Sequence, residues 1–197
     1  MIINKNNDHD HDMFMAPLPW VVDTYVKLAK YRVIFISENI SDKVASELSA
    51  LLLYFDNESH DELIEMYIHS NGGDITGLAN IYDVMQMISA PIKTVCIGKC
   101  YSAAAVLLAA GFKGERYAFK NSSIMIHGIQ AGFPIIGHDM TASKNYLEFL
   151  DENNDNVMKM LANHTGHTLK KVKDDCKNDV YMTAKEAKLY NIIDHIL

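Results

Sequence analysis

The chain has 197 residues, is 49% hydrophobic and carries a formal charge of −7. That length supports one well-packed domain, and the interspersed acidic and basic residues leave no basic face to neutralise phosphates, which argues against a nucleic-acid partner. No apolar run reaches membrane-spanning length, the polar start does not read as a secretory signal, and an odd cysteine set (Cys96, Cys100, Cys176) suits a reducing compartment better than a disulfide framework, so a cytoplasmic protein without a membrane partner is expected.

Residues 1–12, MIINKNNDHDHD, are polar and acidic and predict a disordered tail. His9 and His11 alternate there with Asp8, Asp10 and Asp12, but such a tract is more often merely solvated than a metal site. No metal and no other cofactor is expected. Residues 13–22, MFMAPLPWVV, hold two prolines and the lone tryptophan and predict an extended arm packed against something, with another subunit a natural candidate. The main domain then covers 23–197.

From Asp23 onward apolar strands alternate with amphipathic helices, so the fold class is α/β. Residues 32–37 (RVIFIS) read as a strand, and Ser41 as the N-cap of a helix with Val44, Leu48, Leu51, Leu52 and Phe55 on one side. A strand at 65–69 leads through Ser70-Asn71-Gly72-Gly73 into a helix that stops before Pro91. Next come a strand at 93–97, a short turn, a helix over 103–110 ended by Gly111, and strands at 116–119 and 123–127. A long helix over 140–163 ends by Gly166, a shorter one starts at Thr168, and Thr183 with Glu186 spells a capping box for a last helix before a strand at 192–197.

Two positions invite chemistry. Ser102 opens an alanine-rich helix directly after a strand and turn, where unpaired backbone amides face developing negative charge, as in a nucleophile elbow, although the G-x-S-x-G pattern is absent. His127 closes the apolar strand Ile124-Met125-Ile126 and is placed to take the serine's proton. Taken singly, Ser102 reads as a helix cap, His127 as an ordinary strand-end histidine, Asp179 as a solvated loop carboxylate ahead of a helix, and Gly72-Gly73 as a tight connection.

Five blocks in order change that balance: DTYVKLAKYRVIFI from Asp23, MYIHSNGGDITGLANIYDVM from Met66, GKCYSAAAVLLAAG from Gly98, RYAFKNSSIMIH from Arg116, and DVYMTAKEAKLYNIIDHI from Asp179. Together they resemble the Clp proteolytic subunit family, ClpP, over nearly all of 23–197. The resemblance implies a crotonase-like β/β/α superhelix in a single domain with a protruding handle helix, acting as a serine endopeptidase on unfolded proteins and peptides. It also implies homo-oligomeric seven-membered rings, stacked in pairs around a chamber fed by an AAA+ unfoldase. By resemblance Ser102 is the nucleophile, His127 the general base and Asp179 the third triad member, with the backbone amides of Gly73 and Ala103 as the oxyanion hole. Asp174 and Asp175 compete for the third place but fall on the preceding helix. His69, His138, His164 and His167 match no family role.

The chain also departs from the family pattern. The usual Gly-Glu-Arg element before Asp23 is replaced by MAPLPWVV, which puts gating in doubt. Gly128-Ile129 stands where Gln-Pro is common, the following loop QAGFPIIGHDM is longer, and Asn178 replaces the arginine that helps tie two rings, which points to a less firmly locked double ring. Phe133, Ile135 and Ile136 in that loop are expected to meet the opposite ring. Two other readings compete: a noncatalytic structural or regulatory ring subunit, against which the intact Ser102, His127 and Asp179 argue, and acyl-CoA chemistry on the same fold, which has no use for a serine beside a histidine.

Overall fold

The computed structural model describes residues 19–129 and 140–197. The tail, residues 13–18 of the arm, and Phe133, Ile135, Ile136 and His138 lie outside the described residues. Pro19–Val22, expected to be extended, instead open helix α1 (Pro19–Ala29). Proline is tolerated there because the first helical N–H has no intrahelical partner to lose.

Three strand-to-helix steps follow: β1 (Val33–Ile36) to α2 (Asp42–Glu58), β2 (Ile64–Ser70) to α3 (Ile75–Met87), and β3 (Ile92–Tyr101) to α4 (Ala103–Ala109). After β4 (Arg116–Ala118) and β5 (Ser123–Ile126), the chain forms α5 (Met140–Thr165), α6 (Leu169–Asp175), β6 (Val180–Thr183), α7 (Ala184–Leu189) and β7 (His195–Ile196). The expected caps are present: Ser41 Oγ accepts from Val44 N–H, Thr168 Oγ1 from Lys171 N–H, and Thr183 and Glu186 complete the capping box.

The α/β class holds, in a forked sheet. Strands β1-β2-β3-β4-β7 run parallel in that order, while β5 pairs with the far end of β3 and takes β6 on its other side as an antiparallel neighbour. Strand β6 is an addition to the sequence reading. Ile34, Ile36, Ile64, Met66 and Ile68 alternate into a core shared with Leu48, Leu52 and Phe55 of α2 and Leu78, Ile81 and Met85 of α3. All seven residues of α4 are buried, which places that helix in the centre of the molecule. Helix α5, about 39 Å long at 1.5 Å per residue, has no buried side chain from 141 to 156 and joins the core only from Val157 onward, so it protrudes as the handle reading expects.

Arg116 holds the far end together. Its side chain is 1% exposed, and all five N–H groups are used: Nε and Nη2 grip the two Asp194 carboxylate oxygens at 2.8 and 2.7 Å, Nη1 reaches the carbonyls of Ala109 and His164, and Nη2 also reaches Asn191. A single cation thus caps the C-terminal ends of both α4 and α5. Burial pushes the Asp194 carboxyl up, but Arg116 and the amides of Gly114 and Arg116 outweigh it and hold it below the ordinary carboxylate value. Removing one partner of such a pair strands the other, so Arg116→Met should cost about 3–5 kcal/mol in urea unfolding.

Burial, and then the Arg116 charge, lower His164, which shares a 3.0 Å hydrogen bond with Tyr82. Because the folded state resists protonating it, the unfolded chain gains a proton first as pH falls below the ordinary value of 6.5. Stability should therefore be full above that pH and decline below it, and His164→Gln should flatten the decline in denaturant midpoints measured between about pH 7 and pH 5.

Candidate active site

The site begins where β3 changes partners. Its first half pairs with β4 (Thr94↔Arg116 to Cys96↔Ala118) and its last three residues pair with β5 (Lys99↔Ser123 to Tyr101↔Met125). The turn expected at 98–101 is therefore continued strand. Gly98 sits at the change with φ +73°, and a Cβ there would stand 2.8 Å from His69 Nδ1. That nitrogen lies 2.7 Å from the Ile97 carbonyl, which can only accept, so Nδ1 carries the proton. Ser122 bridges the gap from the other side: its Oγ accepts from Gly98 N–H at 3.1 Å and donates to the Cys96 carbonyl at 3.0 Å. Neither His69 nor Ser122 is recognisable as a supporting residue from sequence, because each acts on a residue more than twenty positions away.

At the end of this strand Ser102 adopts φ 56°, ψ −125°, a region that side chains rarely occupy. The conformation is held by Ser102 N–H donating to the Met125 carbonyl at 2.8 Å, two residues before His127. The hydroxyl makes no capping hydrogen bond to α4, so the plain capping reading finds no support. Gly72 packs beneath the turn, where a Cβ would stand 2.8 Å from Ser102 Cβ and 2.7 Å from the Tyr101 carbonyl oxygen. At Gly73 a Cβ would overlap the backbone of Ile40. The bridge between those segments uses the Gly72 carbonyl and the Asp74 N–H, leaving the Gly73 N–H out of the pairing. Ala103 is the first residue of α4, so its N–H has no acceptor within the helix.

Beyond β5, the His127 side chain is 13% exposed and its Nδ1 lies 3.3 Å from Asp179 Oδ1. The approach is an ion-pair distance without hydrogen-bond alignment, since the buried Nδ1 finds no correctly directed acceptor. The distance is the more informative of the two, because catalytic hydrogen bonds are often loose before substrate binds. The competing carboxylates are engaged elsewhere: Asp174 with Lys177, Asp175 with Lys171 and the Tyr190 hydroxyl. Burial pushes the Asp175 carboxyl up, but Lys171 and then Tyr190 outweigh it and hold it below the ordinary carboxylate value.

Ser102, His127, Gly73 and Ala103 all line one cavity of about 100 Å³, walled by Ile75, Leu78, Val106, Val157 and Leu161. The arrangement combines a hydroxyl in a strained turn, a nearly buried imidazole, a carboxylate behind it and two N–H groups left out of strand and helix pairing. Among the described residues no three His, Cys, Asp or Glu side chains gather as a metal site, the three cysteines are buried and unpaired, and no helix is long and apolar enough to cross a membrane. Of the histidines without a family role, His69 and His164 make the bonds described above and His167 packs edge-on against Tyr190.

A family model described as Clp protease matches residues 19–197. The chain belongs to the Clp protease family. Among Clp proteases, the ATP-dependent Clp protease proteolytic subunit 1 of Cutibacterium acnes is 39% identical over 180 residues, spanning 89% of this chain and 81% of that protein. The resemblance drawn from the five sequence blocks therefore holds, and the family match begins at Pro19, the first residue of α1, rather than at Asp23 within that helix.

The strain at Ser102 is measurable. Glycine adopts that φ without a Cβ penalty, whereas alanine keeps it, so Ser102→Gly should be more stable than Ser102→Ala by roughly 1 kcal/mol in chemical denaturation, despite the flexibility glycine adds to the unfolded chain.

Proposed function

We propose that the chain is a serine endopeptidase subunit in which Ser102 is the nucleophile, His127 the general base and Asp179 the residue that orients and stabilises the imidazolium. The observation that carries this reading is the convergence of Ser102, His127, Gly73 and Ala103 on one cavity with Asp179 behind the histidine. Ser102 Oγ attacks the scissile carbonyl carbon while His127 takes its proton, and the oxyanion settles on the N–H groups of Gly73 and Ala103. His127 then returns the proton to the departing amine, and a water deprotonated by the same imidazole releases the acyl group from Ser102. The apolar cavity wall favours an apolar side chain beside the cleaved bond.

The same reading takes the substrates to be unfolded polypeptides, hydrolysed in a chamber of homo-oligomeric seven-membered rings stacked in pairs and supplied by an AAA+ unfoldase, the Clp ATPase. Family membership supports it, and so does α5, whose projecting half leaves Leu147 and Phe149 45% and 53% exposed, apolar surface that a neighbouring subunit would cover. No charge at Asn178 contributes to ring stacking, which then rests on apolar contacts and depends little on salt.

The unaligned Nδ1 of His127 is the one observation that favours a noncatalytic ring subunit. A fluorophosphonate probe separates the two: the wild type should be labelled and hydrolyse a fluorogenic peptide, and Ser102→Ala should lose both while keeping its oligomeric state. An unlabelled wild type would leave the structural role standing. Asp179→Asn should lower kcat by orders of magnitude with little change in fold, because the amide favours the wrong imidazole tautomer; if Asp175→Asn is the damaging change, the third triad member is misassigned.

A further inference from the structure

The two residues that follow His127 are held from opposite sides. Gly128 N–H donates to the Cys176 carbonyl at 2.7 Å, and Cys176 is the residue that ends α6. Ile129 N–H donates to Asn154 Oδ1 at 2.9 Å, from the middle of α5. A Cβ at Gly128 would stand 3.2 Å from both the Asn154 oxygen and the Cys176 carbonyl oxygen, so the segment runs through a gap with little room for a side chain. One residue along from Asn154, the ion pair of Asp155 with Lys173 ties α5 to α6.

On its other side His127 emerges from β5, which is fixed between β3 and β6. The histidine therefore has a rigid approach through the sheet and an exit that depends on two helices. One of them is α5, whose side chains from 141 to 153 are nowhere buried. Asn154, at the base of that projecting half, is the α5 residue whose side chain bonds the backbone leaving His127, so a displacement of the helix can reach the site through it.

We propose that Asn154 is a positioning residue for His127, coupling the position of the projecting half of α5 to the distance between the imidazole and Ser102. The inference rests on the serine-peptidase reading for its catalytic consequence, though not for the clamp itself. When the helix is seated, the Oδ1 acceptor holds the Ile129 amide and the base is in place; when it is displaced, the strand end loosens. Misplacement of a catalytic group by about 1 Å can cost on the order of 10²-fold in rate.

The test uses the full chain in its assembled form. Asn154→Ala should lower kcat for a fluorogenic peptide by about 10- to 100-fold with KM within about twofold, the pattern of a lost transition-state arrangement rather than lost binding. Asn154→Asp keeps an acceptor oxygen at the same reach and should recover most of kcat. In an Ile129→Pro background the amide no longer exists, and adding Asn154→Ala should change nothing further. Wild-type kcat in Asn154→Ala, equal damage in the alanine and aspartate variants, or full additivity in the proline background would each overturn the proposal.

Amide hydrogen exchange at Ile129 provides an arm that needs no activity: protection should fall by at least about tenfold in Asn154→Ala and persist in Asn154→Asp. A wild type that neither turns over nor takes the fluorophosphonate label would defeat the peptidase reading, and unchanged protection of Ile129 in Asn154→Ala would separately defeat the clamp. Should the alanine variant fail to fold, loss of both protection and kcat in Asn154→Asp overturns the proposal by itself.

Discussion

The site depends on one strand having two sets of neighbours. Parallel strands need long crossovers, and a residue at the end of a strand is aimed by whatever pairs beside it. Here β3 is the longest strand of the sheet, flanked by β2 along most of its length, by β4 over its first half and by β5 over its last three residues. In the β4 register the next pair would be Ile97 with Phe119, five residues short of Ser102. The exchange of β4 for β5 puts Ser102 beside Met125, in direct backbone contact with the strand that ends at His127. The positive φ of Gly98 and the two hydrogen bonds of Ser122 are what the exchange requires locally.

The chemistry proposed at that junction rests heavily on backbone. The N–H groups of Gly73 and Ala103 are placed by an isolated bridge to Ile40 and by a helix start, both of which are settled by the core rather than by solvent-exposed side chains. Preorganised dipoles of this kind need no reorganisation when charge develops. It also explains the crowding by small residues: Gly72, Gly73, Ala103, Ala104 and Ala105 let three segments approach closely enough for the amides to share one cavity.

Much of this was readable from the chain alone, and the failures have identifiable causes. Periodicity located the main strands and helices, and side-chain caps at Ser41, Thr168 and Thr183 marked helix starts because they act within three residues. Helix α1 is hidden in the sequence because Pro17 and Pro19 look like breakers, although proline at a first helical position is harmless. The end of β3 reads as a turn in the sequence because Gly98 and Lys99 interrupt its apolar run, and only β5 makes it strand. Strand β6 is four residues long and likewise owes its conformation to β5. Ser102, His127 and Asp179 were named by motif, but their proximity, and the parts played by Ser122 and Asn154, come from contacts across the chain that no local pattern encodes.

Arg116 sets a condition on the order in which the molecule can be completed. Its partners stand 7, 48, 75 and 78 positions away in the chain, at Ala109, His164, Asn191 and Asp194. Apart from Ala109, these contacts span 48 or more positions and carry a loop-closure cost that the local strand-to-helix steps around β1, β2 and β3 do not. During synthesis the guanidinium is made well before its carboxylate, and α4 and α5 have to wait for residues 191–194 before their shared cation is neutralised. Until residues 191–197 exist, the guanidinium has no carboxylate to bind and β4 has no β7 beside it, so neither the shared cap nor that edge of the sheet can be completed.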